Sequence, residues 1–146
     1  MINRTLESKI ENRFGTGKAI LLIGPRQVGK TTLFNRLLEG KEYLFLNGDD
    51  PTVRKLLSNP NLEQLKNIIG NYKTVYIDEA QRIDNIGLTL KLIKDQLKSV
   101  QLLVSGSSAL IKLRSLLQAE NGNISCILFL GENLNQTWAF LKLSNN

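Results

Sequence analysis

No histidine occurs anywhere in the 146 residues, and cysteine appears once, at Cys126. Without imidazole, the Ser-His and Cys-His nucleophile pairs lack their general base, and the usual zinc ligand sets cannot be assembled. A lone cysteine has no internal disulfide partner. Long apolar runs are missing too, since no stretch approaches the roughly 20 residues that span a bilayer. The opening "MINRTLESKIENRF" alternates charge with apolar residues and lacks the continuous apolar centre of a signal peptide. These absences lead to the expectation of a cytoplasmic chain with no membrane partner. Positive charge is in excess, 19 basic residues against 13 acidic for a net +6, but it is scattered singly among acids and forms no run. Its plain reading is a solvated basic surface. DNA is a secondary candidate partner, and a binder relying on charge alone would show salt-sensitive DNA binding independent of nucleotide.

What is present is the composition of one globular domain, 42% hydrophobic and 22% charged. Leu6, Ile10 and Phe14 lie four apart on one helical face before Gly15 and Gly17 break the segment. "AILLI" (19–23) is a continuous apolar run of strand length, and "YLFLN" (43–47), "TVYID" (74–78) and "VQLLVS" (100–105) repeat its character. Such runs suit parallel strands covered on both faces. Helical patterns lie between them. Asp50 before Pro51 is an N-cap with proline at the first helical position, Asn59 or Asn61 around Pro60 starts a helix ending near Gly70, and Ile86, Leu90, Ile93 and Leu97 mark a third. Strands alternating with helices predict an α/β fold with a mainly parallel sheet.

Gly24, Gly29, Lys30 and Thr31 fit G-x-x-x-x-G-K-[ST], with a strand before and an amphipathic segment, "TTLFNRLLEG", after. Glycines let the backbone turn its N–H groups toward an anion, and the following helix N-terminus adds partial positive charge. Lys30 in the first helical turn would oppose the helix dipole unless an anion is bound there. The motif points to a nucleoside triphosphate, with Lys30 on the outer phosphates and the Thr31 hydroxyl on a bridging Mg2+. Candidate nucleotide-binding residues are Gly24, Pro25, Arg26, Gln27, Val28, Gly29, Lys30, Thr31 and Thr32.

A second magnesium contact is expected at the carboxyl end of another buried strand, where open α/β sheets bind ligands. In "TVYIDEAQ" the apolar run leads into Asp78 and Glu79. Asp78 is the candidate metal ligand and Glu79 the candidate for polarising the attacking water. In "LLVSGSSAL", Ser105 ends a buried strand and is the candidate for helping to place that water. A helix N-cap explains Ser107 or Ser108 equally well.

"GPRQVGKTTL", "LNGDDP", "YIDEAQRI" and "LVSGSSAL", in this order, resemble the prokaryotic AAA-domain ATPases over about residues 5–115. The resemblance implies a P-loop NTPase three-layer sandwich with sheet order 5-1-4-3-2. By position it makes Glu79 the catalytic glutamate, Asp78 the Walker-B aspartate and Ser105 the polar sensor, where the family commonly has threonine. Arg26 and Gln27 belong to its loop signature, and Gln81 and Arg82 follow the acids as in its members. It also implies ATP over GTP, and no N-K-x-D guanine motif stands out.

The resemblance divides the chain into an ATPase core, 1–117, and an atypical tail, 118–146. The tail is poor in charge and rich in asparagine, and it lacks the family's "TGRKW" stretch and the fifth strand that follows it. Codons for Leu117 to Ile124, read one frame over, can spell Thr-Gly-Arg-Lys-Trp-(Lys or Glu)-Tyr. The inference is a frameshift with its junction between about Ile111 and Leu117; codons at 117–123 unable to give that heptapeptide would refute it. The fifth strand is then expected to be missing, leaving "AILLI" on an open edge, or replaced by "ISCILFL" (124–130), a low-charge, proline-free window of the kind that also aggregates.

The leading expectation is Mg-ATP binding with hydrolysis to ADP, driving conformational work on an unidentified protein partner. The alternative is a nucleotide-holding, hydrolysis-deficient remnant or regulator. A small-molecule kinase would need an arginine-rich acceptor lid between the later strands, and no convincing one is present.

Overall fold

The computed structural model describes residues 4–15, 17–24, 30–107, 109–110, 124–129 and 138–142. In chain order they form α1 (Arg4–Glu11), β1 (Ala19–Ile23), α2 (Lys30–Leu37), β2 (Leu44–Asn47), α3 (Pro51–Leu57), α4 (Leu62–Ile69), β3 (Thr74–Asp78), a 3₁₀ turn (Ala80–Arg82), α5 (Ile86–Gln96), β4 (Gln101–Gly106), β5 (Ile124–Phe129) and β6 (Trp138–Lys142). The expected punctuation forms. Asp50 accepts from the Thr52 N–H with Pro51 opening α3. Asn61 and Gln64 exchange side-chain and backbone hydrogen bonds at 2.8 Å to start α4, which ends at Gly70.

All six strands share one sheet in the order β2-β3-β4-β1-β5-β6. β1 to β5 run parallel, and β6 pairs antiparallel to β5. This is the P-loop NTPase order 5-1-4-3-2 with one further strand outside it. The fifth position is filled: Ile124–Phe129 lies beside β1, with Ala19 opposite Ile124 and Ile23 opposite Leu128. The replacement alternative is the one realised, because an apolar stretch of strand length satisfies the N–H and C=O groups that β1 would otherwise leave unpaired.

Every residue of β1 is buried because helices cover both sheet faces. Strand alternation sends Leu21, Ile23, Val75, Ile77, Leu102 and Val104 to one side, against Val53 and Leu57 of α3, Leu65 and Ile69 of α4, and Leu90 and Ile93 of α5. Ile20, Leu22, Tyr76 and Leu103 face the other way, against Ile10 of α1 and Leu33, Phe34 and Leu37 of α2. The result is three layers. Asp78 sits two residues beyond Tyr76, so strand geometry puts its side chain on the α2 side. Among the described residues no helix is long and apolar enough to cross a membrane.

Candidate functional site

Lys30 opens α2 beyond the carboxyl end of β1. It is buried, and its Nζ donates to the Gly24 carbonyl at 2.9 Å. The Gly24 N–H donates to the Gly106 carbonyl at 3.1 Å, so the start of the loop is tied to the end of β4. Pro25, Arg26, Gln27, Val28 and Gly29 lie outside the described residues. Thr32, one residue past Thr31, is exposed.

Three sequence-nominated side chains converge. The Thr31 hydroxyl donates to Asp78 Oδ2 at 3.0 Å, across 47 residues of chain. Ser105 donates to Asp78 Oδ1, which also accepts the Glu79 backbone N–H at 2.9 Å. Asp78 is buried, and these donors satisfy a carboxylate that would be costly to leave unpaired there. Ser105 is fully buried, and its hydroxyl also meets the Tyr76 phenol at 3.0 Å.

Tyr76 is a site residue that sequence reasoning missed, because inside "TVYID" it reads only as part of a buried strand. Its ring packs edge-on against Phe34 at 5.0 Å between centroids and against Phe45 at 5.2 Å. Burial pushes its phenol well above the ordinary range, opposed by the Ser105 hydrogen bond and reinforced by the Asp78 charge. The folded state therefore holds this proton more tightly than the unfolded chain. Its contribution to stability is complete below about pH 10 and is lost as the pH rises past that value. Relative to Tyr76→Phe, the wild-type unfolding free energy should be constant up to about pH 10 and decline between about pH 10 and about pH 12. A difference that stays flat across this interval in denaturant titrations contradicts the assignment.

Glu79 follows directly, in the left-handed region at φ 52°. A non-glycine residue there costs on the order of 1 kcal/mol and persists because its surroundings fix it. They do so closely. Gly48 donates its N–H to the Asp78 carbonyl at 2.7 Å, and a Cβ on Gly48 would lie 2.2 Å from the Glu79 carbonyl oxygen. Arg54 braces the same loop by donating to the Gly48 and Asp49 carbonyls, and exposed Arg82 pairs with Asp49 at 3.0 Å. "LNGDDP" thus has a structural reason: only glycine lets this loop lie against the end of β3.

The donor set suits a magnesium-bound polyphosphate. A hydroxyl and one carboxylate are hard oxygen donors, and among the described residues no group of three or more His, Cys, Asp or Glu gathers to hold a metal. A cation held by one or two protein oxygens takes its remaining ligands from water and phosphate, which is the habit of Mg2+.

Comparison with known proteins bears on the family and the fold. The model of a family described as "AAA domain" matches residues 16–131. No curated protein matches the chain by sequence. Among solved structures, Bacteroides Pif1 bound to single-stranded DNA is similar at a TM-score of 0.57 and 15% identity over 91% of this chain and 43% of its own. A second Pif1 helicase structure, concerned with unwinding at forked double-stranded DNA, gives 0.50 and 15% over 89% and 43%. The Thermotoga maritima RuvB Holliday junction branch migration motor gives 0.47 and 19% over 73% and 39%. The chain therefore spans about two fifths of the length of these proteins, and the likeness to the Pif1 structures is one of fold. With the family match covering most of the chain on a P-loop sheet, this protein belongs to the AAA domain family, a nucleotide-binding, ATPase-type family.

Proposed function

We propose that the chain binds Mg-ATP at the end of β1 and hydrolyses it to ADP and phosphate. The observation that carries the proposal is the 3.0 Å pairing of Thr31 with Asp78, with Glu79 as the next residue. The N-terminal amides of α2 and Lys30 bind the phosphates, while Thr31 and Asp78 hold the metal. Bound Mg2+ neutralises charge on the phosphate oxygens. Ser105 and the Glu79 N–H keep the Asp78 carboxylate oriented. Glu79 accepts a proton from water as the water oxygen bonds to the terminal phosphorus and the bond to the ADP oxygen breaks.

The working partners are an unidentified protein and, secondarily, DNA. The net charge of +6 and the similarity in fold to a Pif1 bound to single-stranded DNA support the second. The domain division at residue 117 belongs to the same proposal, with β5 and β6 supplied by the tail. Phosphate release by purified protein tests hydrolysis. Wild-type release should require Mg2+ and fall at least about tenfold in Lys30→Ala. Nucleotide binding without Mg-dependent release would instead support the hydrolysis-deficient regulator.

A further inference from the structure

Gln81, in the 3₁₀ turn after Glu79, makes two hydrogen bonds that span the site. Its amide nitrogen donates to Glu79 Oε1 at 2.7 Å, and its amide oxygen accepts the Ser107 N–H at 3.0 Å. Ser107 is the residue after β4, two beyond the Ser105 that holds Asp78. The side chain lies tight against the strand end: a Cβ on Gly106 would be 2.5 Å from Gln81 Oε1 and 2.4 Å from Leu110 Cδ1. Glycine at 106 makes room for the glutamine to reach across.

From this bridge we infer that Gln81 is a positioning residue. It holds the Glu79 carboxylate in a fixed orientation and ties that orientation to the end of β4. The chemistry requires both ends of a primary amide. The donor meets an anionic carboxylate, giving a charge-assisted bond with directional preference. The acceptor meets a backbone N–H that would otherwise lose its partner in a part-buried location. Because Ser105 and Ser107 lie on the same strand end, a shift of that end that moves Ser105 against Asp78 also moves the amide that orients Glu79. No other residue type supplies this geometry. Glutamate would set like charges 2.7 Å apart, asparagine is one methylene short, and methionine fills the volume without either bond.

The inference rests on the proposed hydrolysis, so its test includes a readout that needs no turnover. In wild-type protein the Ser107 amide should be protected from hydrogen exchange, and Gln81→Met should lower that protection at least about fivefold while exchange in the β1 and β3 cores stays unchanged. In turnover, Gln81→Met should lower kcat about tenfold with KM for ATP within about twofold, because the interaction acts on the reacting water's partner and not on nucleotide binding. In a Glu79→Gln background, single-turnover hydrolysis should show little further loss from Gln81→Met, since the glutamine acts through that carboxylate. Equal loss in both backgrounds, or unchanged Ser107 exchange in Gln81→Met, overturns the inference. Wild-type turnover no greater than that of Lys30→Ala overturns the proposed hydrolysis and the positioning role with it; the Ser107 exchange then still reports whether the bridge exists, so the two failures are told apart.

Discussion

Glu79→Gln should leave Mg-ATP affinity within about twofold of wild type and lower kcat by at least about a hundredfold, the usual scale for losing a positioned general base. The substitution keeps the side chain's size and removes only its charge and proton affinity. Glu79 lies outside the Thr31–Asp78 pair to which the metal is assigned, so binding and turnover should separate. Its backbone is held independently of the carboxylate by Gly48 and by the Asp78 side chain, and the variant should therefore fold. Binding by fluorescence titration and phosphate release on one preparation would read both quantities. Unchanged kcat would remove Glu79 from the chemistry.

Gly48→Ala is expected to be costly in a different way. The added methyl would sit 2.2 Å from the Glu79 carbonyl oxygen, 2.9 Å from its carbon and 3.0 Å from the Asp78 carbonyl oxygen. Those are backbone atoms, which cannot swing aside like a side-chain tip. Either the β2–α3 loop moves away and gives up the 2.7 Å bond from Gly48 to Asp78, or the end of β3 moves and carries Asp78 and Glu79 with it. Overpacking of this kind destabilises by about 1–3 kcal/mol. Unfolding by urea should show a loss of about 2 kcal/mol, and turnover should fall beyond what the remaining folded fraction explains. A variant of wild-type stability and turnover would mean that the loop does not lie against the strand end as described.

Much of the fold was legible because it depends on local chemistry. "AILLI" reads as a strand covered on both faces, and all five of its residues are buried. Asp50-Pro51 announces α3 and caps it as its side chain dictates, while of the two candidates for the start of α4, Asn59 and Asn61, it is Asn61 that caps. The limits were equally physical. "ISCILFL" had the character of a strand and was one of two alternatives for the edge beside "AILLI", but strand character alone does not choose between a covered and an open edge, and the assembled sheet did. β6 lies in a segment without a distinctive period.

The site divides in the same way. Thr31 and Asp78 could be nominated from motifs because each stands at a strand-to-helix junction of known geometry, and their side chains meet. Gln81 was visible as a neighbour of the acids but without a role. Its role depends on Ser107, 26 residues away, reaching it across two adjacent parallel strands. Tyr76 was hidden for a similar reason: nothing in "TVYID" tells a tyrosine that fills space from one whose hydroxyl joins Ser105. Gly48 matters through an approach of two backbones, which leaves no trace in a hydrophobic pattern.

The central claim is that β1, the loop after it and Asp78 form a Mg-ATP site. It is tested most directly by titrating the full chain with a fluorescent ATP analogue, with Mg2+ and with EDTA, in wild-type and Lys30→Ala forms. Saturable wild-type binding should strengthen with Mg2+ and weaken about tenfold to a hundredfold in Lys30→Ala, as for loss of a charged hydrogen bond to phosphate. Binding that is absent, or equally strong with EDTA and in the Lys30→Ala protein, would contradict it.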